Sequence, residues 1–416
     1  MNELRAEQTA SIEQKLASGA YRQDPYPLYR LLRERAPVYF SPAWNAWLIT
    51  RHADVEAVLR NHESFSASGR LEKLIEPLPP KLRKTVQNLI GNFSAGLQAT
   101  DPPDHTRIHR LVSRAFTPTV VNNMREPIQS FVDALLESVL ARGRMDLVAD
   151  FALTLPVLVL GHVLGFSREE CEQFRQWDND FLAVTGSRAG RPEAVDRARR
   201  SVEEQVTWLK EVTERRRRDP HNDLFSALVD GLDSGQIRDL PELHGTYLAI
   251  LIGGHETTTG LISSAMFMLL RHRDQLGQLQ DDLSLIPRAI EEFLRCESPI
   301  QVITRVATAD TVIGGKQIQK DQLVMNLISA ANRDPDVFDE PDRFDITRHP
   351  NRHLAFGHGV HFCIGAPLAR LEGQIALTSL LTRMRNVRLA ADSVAWIEND
   401  IFRVLKSLPI EFDVVK

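Results

Sequence analysis

A single long helix between residues 241 and 276 limits the possible folds of this chain more than any other segment. Pro241 opens a helical pattern that continues to about residue 276, and at about 1.5 Å per residue this helix would be about 50 Å long. A helix of that length crosses a whole domain, so other elements must pack around it. The apolar stretch 248–270 contains His255 and Glu256, which predicts a buried helix and not a membrane span.

Helical periodicity also dominates the rest of the chain. Helix follows helix from residue 103 to about 230, and further helices are predicted at 287–294 and 365–384. Strands are predicted in only three places: a hairpin formed by 37–40 and 46–50, the stretch 302–327 with a turn at Gly314-Gly315, and a terminal hairpin over 401–415. The predicted fold class is therefore mainly α with a minor β portion, an α+β arrangement.

No repeat, low-complexity segment or linker divides the chain, so we predict one domain over residues 1–416, with 1–23 as a flexible N-terminal extension. The stretch 66–97 contains prolines and has a mixed character. We expect it to be irregular, because long loops of this kind are usually lids or mobile segments.

Composition and charge exclude several classes of protein. Three cysteines are an odd number without C-x-x-C spacing, which argues against a disulfide framework or a cysteine-rich zinc module. A net charge of −5 and a pI near 6.2 argue against nucleic acid as the main partner. The first twenty residues contain no apolar core of a secretory signal, so we expect a cytoplasmic protein with no membrane attachment.

The most informative short segment is a loop that runs from Phe356 to Arg370 and contains Cys363. Its sequence is Phe-Gly-His-Gly-Val-His-Phe-Cys-Ile-Gly-Ala-Pro-Leu-Ala-Arg. Glycine permits a positive φ and a close approach of the backbone to a flat ligand. A cysteine just before a helix has its thiolate, the form that ligates iron, stabilised by free N–H groups. A lone cysteine is most often a buried apolar residue, but the glycine spacing favours a ligand.

A zinc site is the weaker interpretation of the same loop. Histidines and one cysteine lie within fifteen residues, at His349, His353, His358, His361 and Cys363. The usual zinc spacings are absent, however, and a zinc site would leave the glycines without a purpose.

The long helix contains a second unusual segment, Ile-Gly-Gly-His-Glu-Thr-Thr-Thr-Gly over residues 252–260. Two glycines weaken a helix, and the Thr257 hydroxyl can bond the carbonyl of Gly253 and bend it. An acid, Glu256, and a hydroxyl would then lie beside a groove. Close helix packing explains the small residues equally well. A zinc protease is excluded, because the second histidine of H-E-x-x-H is replaced by Thr259.

Both segments resemble motifs of the cytochrome P450 superfamily, the haem-thiolate monooxygenases. The string F-G-x-G-x-H-x-C-x-G from Phe356 is similar to that family's haem-binding loop, and Gly253–Thr257 is similar to its oxygen-activating motif [AG]-G-x-[DE]-T. The resemblance implies haem b with Cys363 as the axial iron ligand. It also implies that Thr257 steadies dioxygen, that Glu256 relays protons, and that Gly253 and Gly254 make room for the oxygen.

The resemblance extends to the haem propionates and to a buried network. By motif position His105, Arg305 and His361 would bind the propionates, and His109 stands where the family usually has arginine. The E-x-x-R string at Glu292 and Arg295, with Arg343 in P-x-R-F, would form a network that holds the cysteine loop.

The function implied by the resemblance is insertion of one dioxygen atom into a C–H or C=C bond of an apolar small molecule, in bacterial secondary metabolism. The fold implied is a large helical lobe and a small β-rich lobe around one haem. Electrons would come from a ferredoxin and its reductase, which would dock near a basic patch of Arg107, Arg110, Arg114 and Arg370. A peroxide-dependent haem-thiolate enzyme and a non-catalytic haem or metal sensor stay as alternatives. The candidate substrate-facing residues are Ala249, Ile250, Gly253, Val302, Ile303, Ile401 and Phe402.

Overall fold

The computed structural model describes residues 6–76, 78, 80–185 and 192–415. The helices in chain order are α1 (Ala6–Ser18), α2 (Tyr26–Arg35), α3 (His52–Arg60), α4 (Arg70–Ile75), α5 (Pro80–Ser94), α6 (Asp104–Val112), α7 (Pro118–Asn123), α8 (Arg125–Leu140), α9 (Thr154–Leu164), α10 (Arg168–Thr185), α11 (Pro192–Arg218), α12 (Leu224–Asp233), α13 (Leu240–Arg271), α14 (Arg273–Asp281), α15 (Ile286–Cys296), α16 (Ile328–Ala331) and α17 (Ala366–Arg383). The strands are β1 (Val38–Ser41), β2 (Ala46–Ile49), β3 (Phe65–Ser66), β4 (Arg144–Asp146), β5 (Val302–Ala307), β6 (Thr311–Ile313), β7 (Lys316–Ile318), β8 (Leu323–Leu327), β9 (Met384–Leu389) and β10 (Pro409–Val414). The predicted fold class, mainly α with a minor β portion, is confirmed.

Helix α13 is the central element of the helical part. It begins where the Asp239 side chain accepts a hydrogen bond from the Glu242 N–H at 2.9 Å, an N-cap, with Pro241 in the first turn. Helices α5, α9, α15 and α17 pack around it. Helix α13 ends before residue 276, to which the helix was predicted to continue. The backbone leaves helical geometry at His272, and α14 begins at the next residue.

The largest sheet has the strand order β1-β2-β8-β5-β3. The predicted hairpin is confirmed: β1 pairs antiparallel with β2, with Val38 opposite Ile49, and β8 runs parallel to β2. The predicted turn is also confirmed, because Gly314 and Gly315 connect β6 to β7 with φ values of 53° and 78°. Both angles lie in the left-handed region that favours glycine.

The predicted terminal hairpin over 401–415 is wrong. Strand β10 pairs instead with β9 and with β4, forming a three-stranded sheet of order β4-β10-β9. Its partners come from distant parts of the chain, so a pattern confined to the tail could not reveal them.

The stretch 66–97 is not irregular as predicted, since it forms α4 and α5. Val86, Ile90 and Phe93 are buried on one face of α5. Their spacing of four and three residues is helical. The prolines lie before or at the start of α5, where they are compatible with a helix.

The N-terminal extension predicted to be flexible over residues 1–23 is in large part helical, because helix α1 spans Ala6–Ser18. Its Ile12 and Leu16 are buried one turn apart. The Glu13 carboxylate accepts hydrogen bonds from the Tyr39 hydroxyl at 2.7 Å and the Ser41 hydroxyl at 2.9 Å. These contacts attach the described part of the N-terminus to β1, while residues 1–5 lie outside the described residues.

Candidate active site

One cavity of about 290 Å³ lies between α13 and the loop that contains Cys363. Every predicted site residue except Glu256 lines it, although these residues come from widely separated parts of the sequence. They are His105, His109, Gly253, Gly254, Thr257, Arg305, Phe356, His361 and Cys363. The predicted substrate-facing residues line it as well: Ala249, Ile250, Gly253, Val302, Ile303, Ile401 and Phe402.

The loop before Cys363 depends on glycine at two positions. Gly357 and Gly359 have φ values of 70° and 73°, in the left-handed region. A Cβ at Gly359 would lie 2.5 Å from the carbonyl oxygen of Leu59, so α3 leaves no room for a side chain. The N–H of Cys363 donates to the carbonyl of Phe356 at 2.9 Å, which closes the loop and presents the sulfur to the cavity.

Opposing effects act on the thiol of Cys363. Burial raises its pKa, while the N–H groups of Gly365 and Ala366 and the charge of Arg370 lower it; the net direction is upward. Arg370 is held by two bonds to Glu291, at 2.7 and 2.8 Å, and its guanidinium lies 4.4 Å from the centre of the Phe356 ring. The helix start therefore favours the thiolate, as predicted, but burial outweighs it in the protein alone.

A buried ion pair between Glu292 and Arg295 supports the segment that leads to this loop. The two side chains are 0% exposed and form two hydrogen bonds of 2.8 Å. Arg295 also donates to the carbonyls of Asn332, Pro341 and Arg343. The chain itself thus supplies a partner for each side of this pair.

The prediction that the Arg343 side chain is the third member of this network is wrong. Its backbone carbonyl accepts from Arg295 at 2.9 Å, but its side chain is 60% exposed and pairs with Glu340 at 2.8 Å. Arg348 takes the predicted place, with Nε 3.2 Å from Glu292. The backbone of residue 343 faces the network, which leaves its side chain directed to solvent.

The segment Gly253–Thr257 on α13 divides between two faces of the helix. The hydroxyl of Thr257 donates to the carbonyl of Gly253 at 2.5 Å, as predicted, and Thr257 lines the cavity. Glu256 is buried and does not line the cavity; His255 Nδ1 lies 3.5 Å from its Oε1. The acid and the hydroxyl are sequence neighbours, but only the hydroxyl faces the cavity.

The two glycines of this motif serve different purposes. A Cβ at Gly253 would meet nothing within 4 Å, so this glycine opens space in the cavity wall. A Cβ at Gly254 would lie 2.8 Å from the Leu160 side chain. Gly254 therefore allows close packing of α9 on α13, which was the alternative interpretation of the small residues.

A group of basic side chains lines one part of the cavity. The ring centres of His105 and His361 are 4.2 Å apart, and the ring centres of His105 and His109 are 5.4 Å apart. Burial and the neighbouring histidines lower the pKa of His105 to about 3. The pKa of Arg305 falls to about 10, through burial and then through the charge of Arg70.

Arg70 is a member of this group that the sequence did not reveal. It begins α4 and lines the cavity, 3.4 Å from the Thr304 hydroxyl and 3.5 Å from the Gln98 carbonyl. Its Nε is buried without a hydrogen-bond partner, and burial lowers its pKa to about 10. No motif spacing marks this position, and it falls in the stretch predicted to be irregular.

One carboxylate, Asp101, lies beside this group; burial acts to raise its pKa, but the neighbouring His361 and the Ser66 hydroxyl bring it below the usual range. Asp101 accepts from the N–H of Ala67 at 3.0 Å and lies 3.8 Å from His361 Nε2. Glu372, also missed by the sequence, lines the same cavity, and burial raises its pKa well above the usual range. Within the described residues Arg70 and Arg305 have no carboxylate at ion-pair distance.

The zinc interpretation does not fit this geometry. His353 pairs with Glu291 at 3.1 Å, and His358 lies 3.6 Å from Glu56. Among the residues that the structure describes, no three His, Cys, Asp or Glu side chains gather in a metal-binding arrangement.

The described helices were also compared with the length and hydropathy of a membrane span. No single one of them is long and apolar enough to cross a membrane. One bent pair, Val148–Leu164 with Arg168–Phe181 at 116°, satisfies the length and composition requirement only when the two helices are taken together.

Comparison with known proteins places this geometry in a family. Residues 82–389 match the family model of Cytochrome P450. The chain is 35% identical over 416 residues to a putative cytochrome P450, YjiB, of Bacillus subtilis, covering 99% of this chain and all of the relative. It is 35% identical to the 6-deoxyerythronolide B hydroxylase of Saccharopolyspora erythraea, covering 96% and 98% of the two chains.

A solved structure agrees with the sequence comparison. P450BioI, in complex with an acyl carrier protein that carries hexadec-9Z-enoic acid, superposes with a TM-score of 0.87 at 35% identity. The match covers 95% of this chain and 100% of that one. This chain therefore belongs to the cytochrome P450 family and is a haem-dependent monooxygenase.

Proposed function

We propose that Cys363 is the axial ligand of haem b and that the chain inserts one atom of dioxygen into a C–H or C=C bond of an apolar small molecule. The observation that carries this proposal is the cavity, which combines one cysteine sulfur, apolar walls and a group of buried basic side chains.

The residues present fit the haem group. Haem b is flat and apolar with two carboxylates, and the cavity is mostly apolar with its cations gathered together. His361 Nε2 and Arg70 Nε are buried without a hydrogen-bond partner in the described part of the chain. Buried polar groups are rarely left unpaired, and carboxylates are the partners that arginine and histidine prefer.

We therefore assign the propionates to Arg305, His105, His361 and Arg70. His109 lies beside His105 and lines the same cavity, so it can contribute a further, weaker contact in place of the family's arginine. Arg70 would supply the strong positive charge that position 109 lacks in this chain.

The bound haem would supply the activation of dioxygen, and this chain would supply positioning and protons. The Thr257 hydroxyl gives its hydrogen to Gly253, so its remaining lone pairs can accept a hydrogen bond from a donor in the cavity. Gly253 leaves space beside that hydroxyl. Glu256, buried at the position before Thr257, would hold a proton for delivery through Thr257.

The substrate is proposed to be hydrophobic, because the cavity wall around Gly253 consists of aliphatic and aromatic side chains. The relatives support this class: one is named a hydroxylase of 6-deoxyerythronolide B, and P450BioI was solved with a fatty acid on its carrier protein. We propose a polyketide-like or fatty-acyl substrate of bacterial secondary metabolism.

Electrons are proposed to come from a ferredoxin and its reductase, in the cytoplasm, without a membrane or nucleic acid as partner. Of the four arginines predicted for docking, two are engaged elsewhere: Arg107 binds Glu242 at 2.7 Å, and Arg370 binds Glu291. Arg110 and Arg114 are exposed. Phe362, beside Cys363, is 47% exposed and would add an apolar contact.

Charge reversal tests this docking surface. Arg110→Glu with Arg114→Glu should slow reduction by ferredoxin and weaken its salt dependence, because exposed charges act mainly on association. Arg218→Glu, at the exposed end of α11, is the control. Equal reduction rates in all three proteins would contradict the assignment.

The optical spectrum of the reduced, carbon-monoxide-bound protein tests the central proposal. Wild type should show the Soret band of a thiolate-ligated haem, and Cys363→Ser should lose it. Cys171→Ser, at a buried cysteine outside the cavity, is the matched control and should keep the band. A band that survives Cys363→Ser would contradict the proposal.

Thr257→Ala separates oxygen-dependent from peroxide-dependent chemistry. With electrons from a ferredoxin couple, this variant should release more hydrogen peroxide for each oxygen consumed than wild type does. An unchanged peroxide yield would contradict the role of Thr257 and would favour the peroxide-dependent alternative.

A further inference from the structure

His255, beside Glu256 on α13, is a buried histidine that the proposed reaction has not used. Its Nδ1 lies 3.5 Å from Oε1 of Glu256. Neither ring nitrogen has a hydrogen-bond partner among the described residues, although the side chain is buried. A neutral imidazole has one donor and one acceptor, so burial without partners is costly unless another group or a water completes them.

The ring borders a small cavity where α9, α10 and α13 meet. The cavity has a volume of about 10 Å³, about the space that one water molecule needs. Leu160 and Leu164 on α9 and Leu251 on α13 form apolar walls, and Arg175 on α10 forms a polar one. Arg175 is partly exposed and pairs with Glu172, which is more exposed. The cavity thus lies between His255 and a charged surface pair.

The charged groups that face the ring are few. Glu256 lies on the same helix, while Glu172 and Arg175 lie on α10. The thiol of Cys171, also on α10, is neutral because burial raises its pKa to about 12. Helix α9 contributes only apolar residues to this cavity. Burial lowers the pKa of His255, which is therefore neutral near pH 7.

We propose that His255 passes protons from the α10 surface to Glu256, by way of a water in the small cavity. This inference rests on the proposed function of Glu256 and Thr257. His255 acts through Glu256, so it is a positioning and relay residue. A small rotation of its ring would bring Nδ1 from 3.5 Å to hydrogen-bond distance of Oε1.

The proton balance of this step closes. With the proton on Nδ1, the ring gives it to the carboxylate of Glu256 while Nε2 takes a proton from the water. The water recovers its proton from solvent beside Arg175 and Glu172. The ring is left with its proton on Nε2. When the ring swings, the water in the small cavity can take that proton and return one to Nδ1, which restores the starting tautomer, and no electron is transferred.

The alternative is that His255 only fills space between α9 and α10. His244 is a matched control for that role. It is buried on the same helix about 16 Å away, and its Nε2 lies 3.2 Å from the Gln205 amide oxygen. It does not line either cavity described here.

The test compares His255→Gln and His244→Gln as haem-loaded proteins. Oxygen consumption driven by NADPH through a surrogate ferredoxin couple is measured without substrate, in H₂O and in D₂O. His255→Gln should slow consumption at least about tenfold and enlarge the solvent isotope effect. His244→Gln should match wild type. Equal rates and isotope effects in both variants would overturn the relay.

A second readout does not depend on turnover. Nitrogen NMR of ¹⁵N-histidine protein in the reduced carbon-monoxide form should show the Nδ1 signal of His255 move in Glu256→Gln, while His244 stays fixed. An unmoved His255 signal would overturn the proposed contact. Thr257→Ala distinguishes the two levels: an unchanged peroxide yield there contradicts the proposed function, whereas a changed yield with an inert His255→Gln contradicts the relay alone.

Discussion

Two buried arginines, Arg295 and Arg305, have similar burial and opposite electrostatics. Arg295 is 0% exposed and Arg305 is 5% exposed. Burial acts to lower the pKa of both. At Arg295 the bonds to Glu292 outweigh burial, and the pKa is raised. At Arg305 burial, and then the charge of Arg70, lower the pKa to about 10, and the charge of Asp101 offsets only part of this.

The difference separates a structural region from a binding region. Around Arg295 the chain supplies the counter-charge and the carbonyl acceptors, so the region is complete by itself. Around Arg305 the described residues supply one carbonyl acceptor, that of Thr304, and no carboxylate at ion-pair distance, so we propose that an anionic ligand completes the region. Buried charge without a counter-ion is expensive, and a fold retains it where a ligand repays the cost.

The largest effect is expected from Arg295→Leu, which leaves the buried Glu292 without its main partner. We expect the free energy of unfolding to fall by about 3–5 kcal/mol. The double variant Glu292→Leu with Arg295→Leu should recover much of this loss, since it removes both charges. Urea unfolding of the three proteins measures the effect, and a double variant no more stable than the single one would contradict the account.

At His244 burial alone shifts the pKa, without a contribution from neighbouring cations. Burial lowers its pKa to about 4, so below its usual value of about 6.5 the unfolded chain binds a proton that the folded chain does not. Stability should therefore fall by about 3 kcal/mol between about pH 7 and about pH 4 through this residue. His244→Leu should lose that share of the acid sensitivity in urea unfolding. An unchanged pH dependence would contradict the assignment.

Arg305→Leu should affect the protein with and without haem in opposite directions. Without haem the substitution removes an unpaired buried charge, so stability should be unchanged or increased. With haem it removes a charge-assisted contact of about 1.5–3 kcal/mol, so hemin should bind about 10- to 100-fold more weakly. Hemin titration and thermal unfolding of the apoprotein measure the two effects. A variant destabilised in both states would place Arg305 with Arg295 as a structural charge.

The smallest effect distinguishes Arg348 from Arg343. Arg348→Leu removes a direct partner of buried Glu292 and should cost about 1–2 kcal/mol of stability. Arg343→Leu removes only an exposed ion pair with Glu340 and should cost less than about 0.5 kcal/mol. Thermal unfolding of the two variants makes the comparison, and equal losses would contradict the placement of Arg348 in the network.

The sequence predicted those residues of the cavity that lie in recognisable motifs, including His105 and Arg305 from remote segments. Cys363 lies where glycine-dependent turns place it, and Thr257 bonds Gly253 one turn away on the same helix. Arg70 was missed because only the packing of distant elements brings α4 to the cavity. Glu372 lies on α17, shortly after the Cys363 loop, at a position that no motif marks. Arg348 was missed for a similar reason, since a side-chain direction within an irregular segment cannot be inferred from spacing.

The sequence also predicted the elements with strong local patterns better than those that depend on distant partners. Helix α13 and the β1–β2 hairpin carry their own caps, turns and periodicity. Strand β10 takes both of its partners from remote segments. Helix α5 is a different case. The spacing of its apolar residues is helical, but the neighbouring prolines led to the prediction of an irregular segment.

The most direct test of the account compares the affinity of the apoprotein for hemin and for hemin dimethyl ester. The two compounds share the porphyrin and the iron that Cys363 would ligate, and they differ only in the carboxylate charges that Arg305 and its neighbours would bind. Two charge-assisted contacts predict that hemin binds more tightly by about 10²–10⁴-fold. Equal affinities would show that the cations lining this cavity do not bind the carboxylates of haem, and would contradict the account.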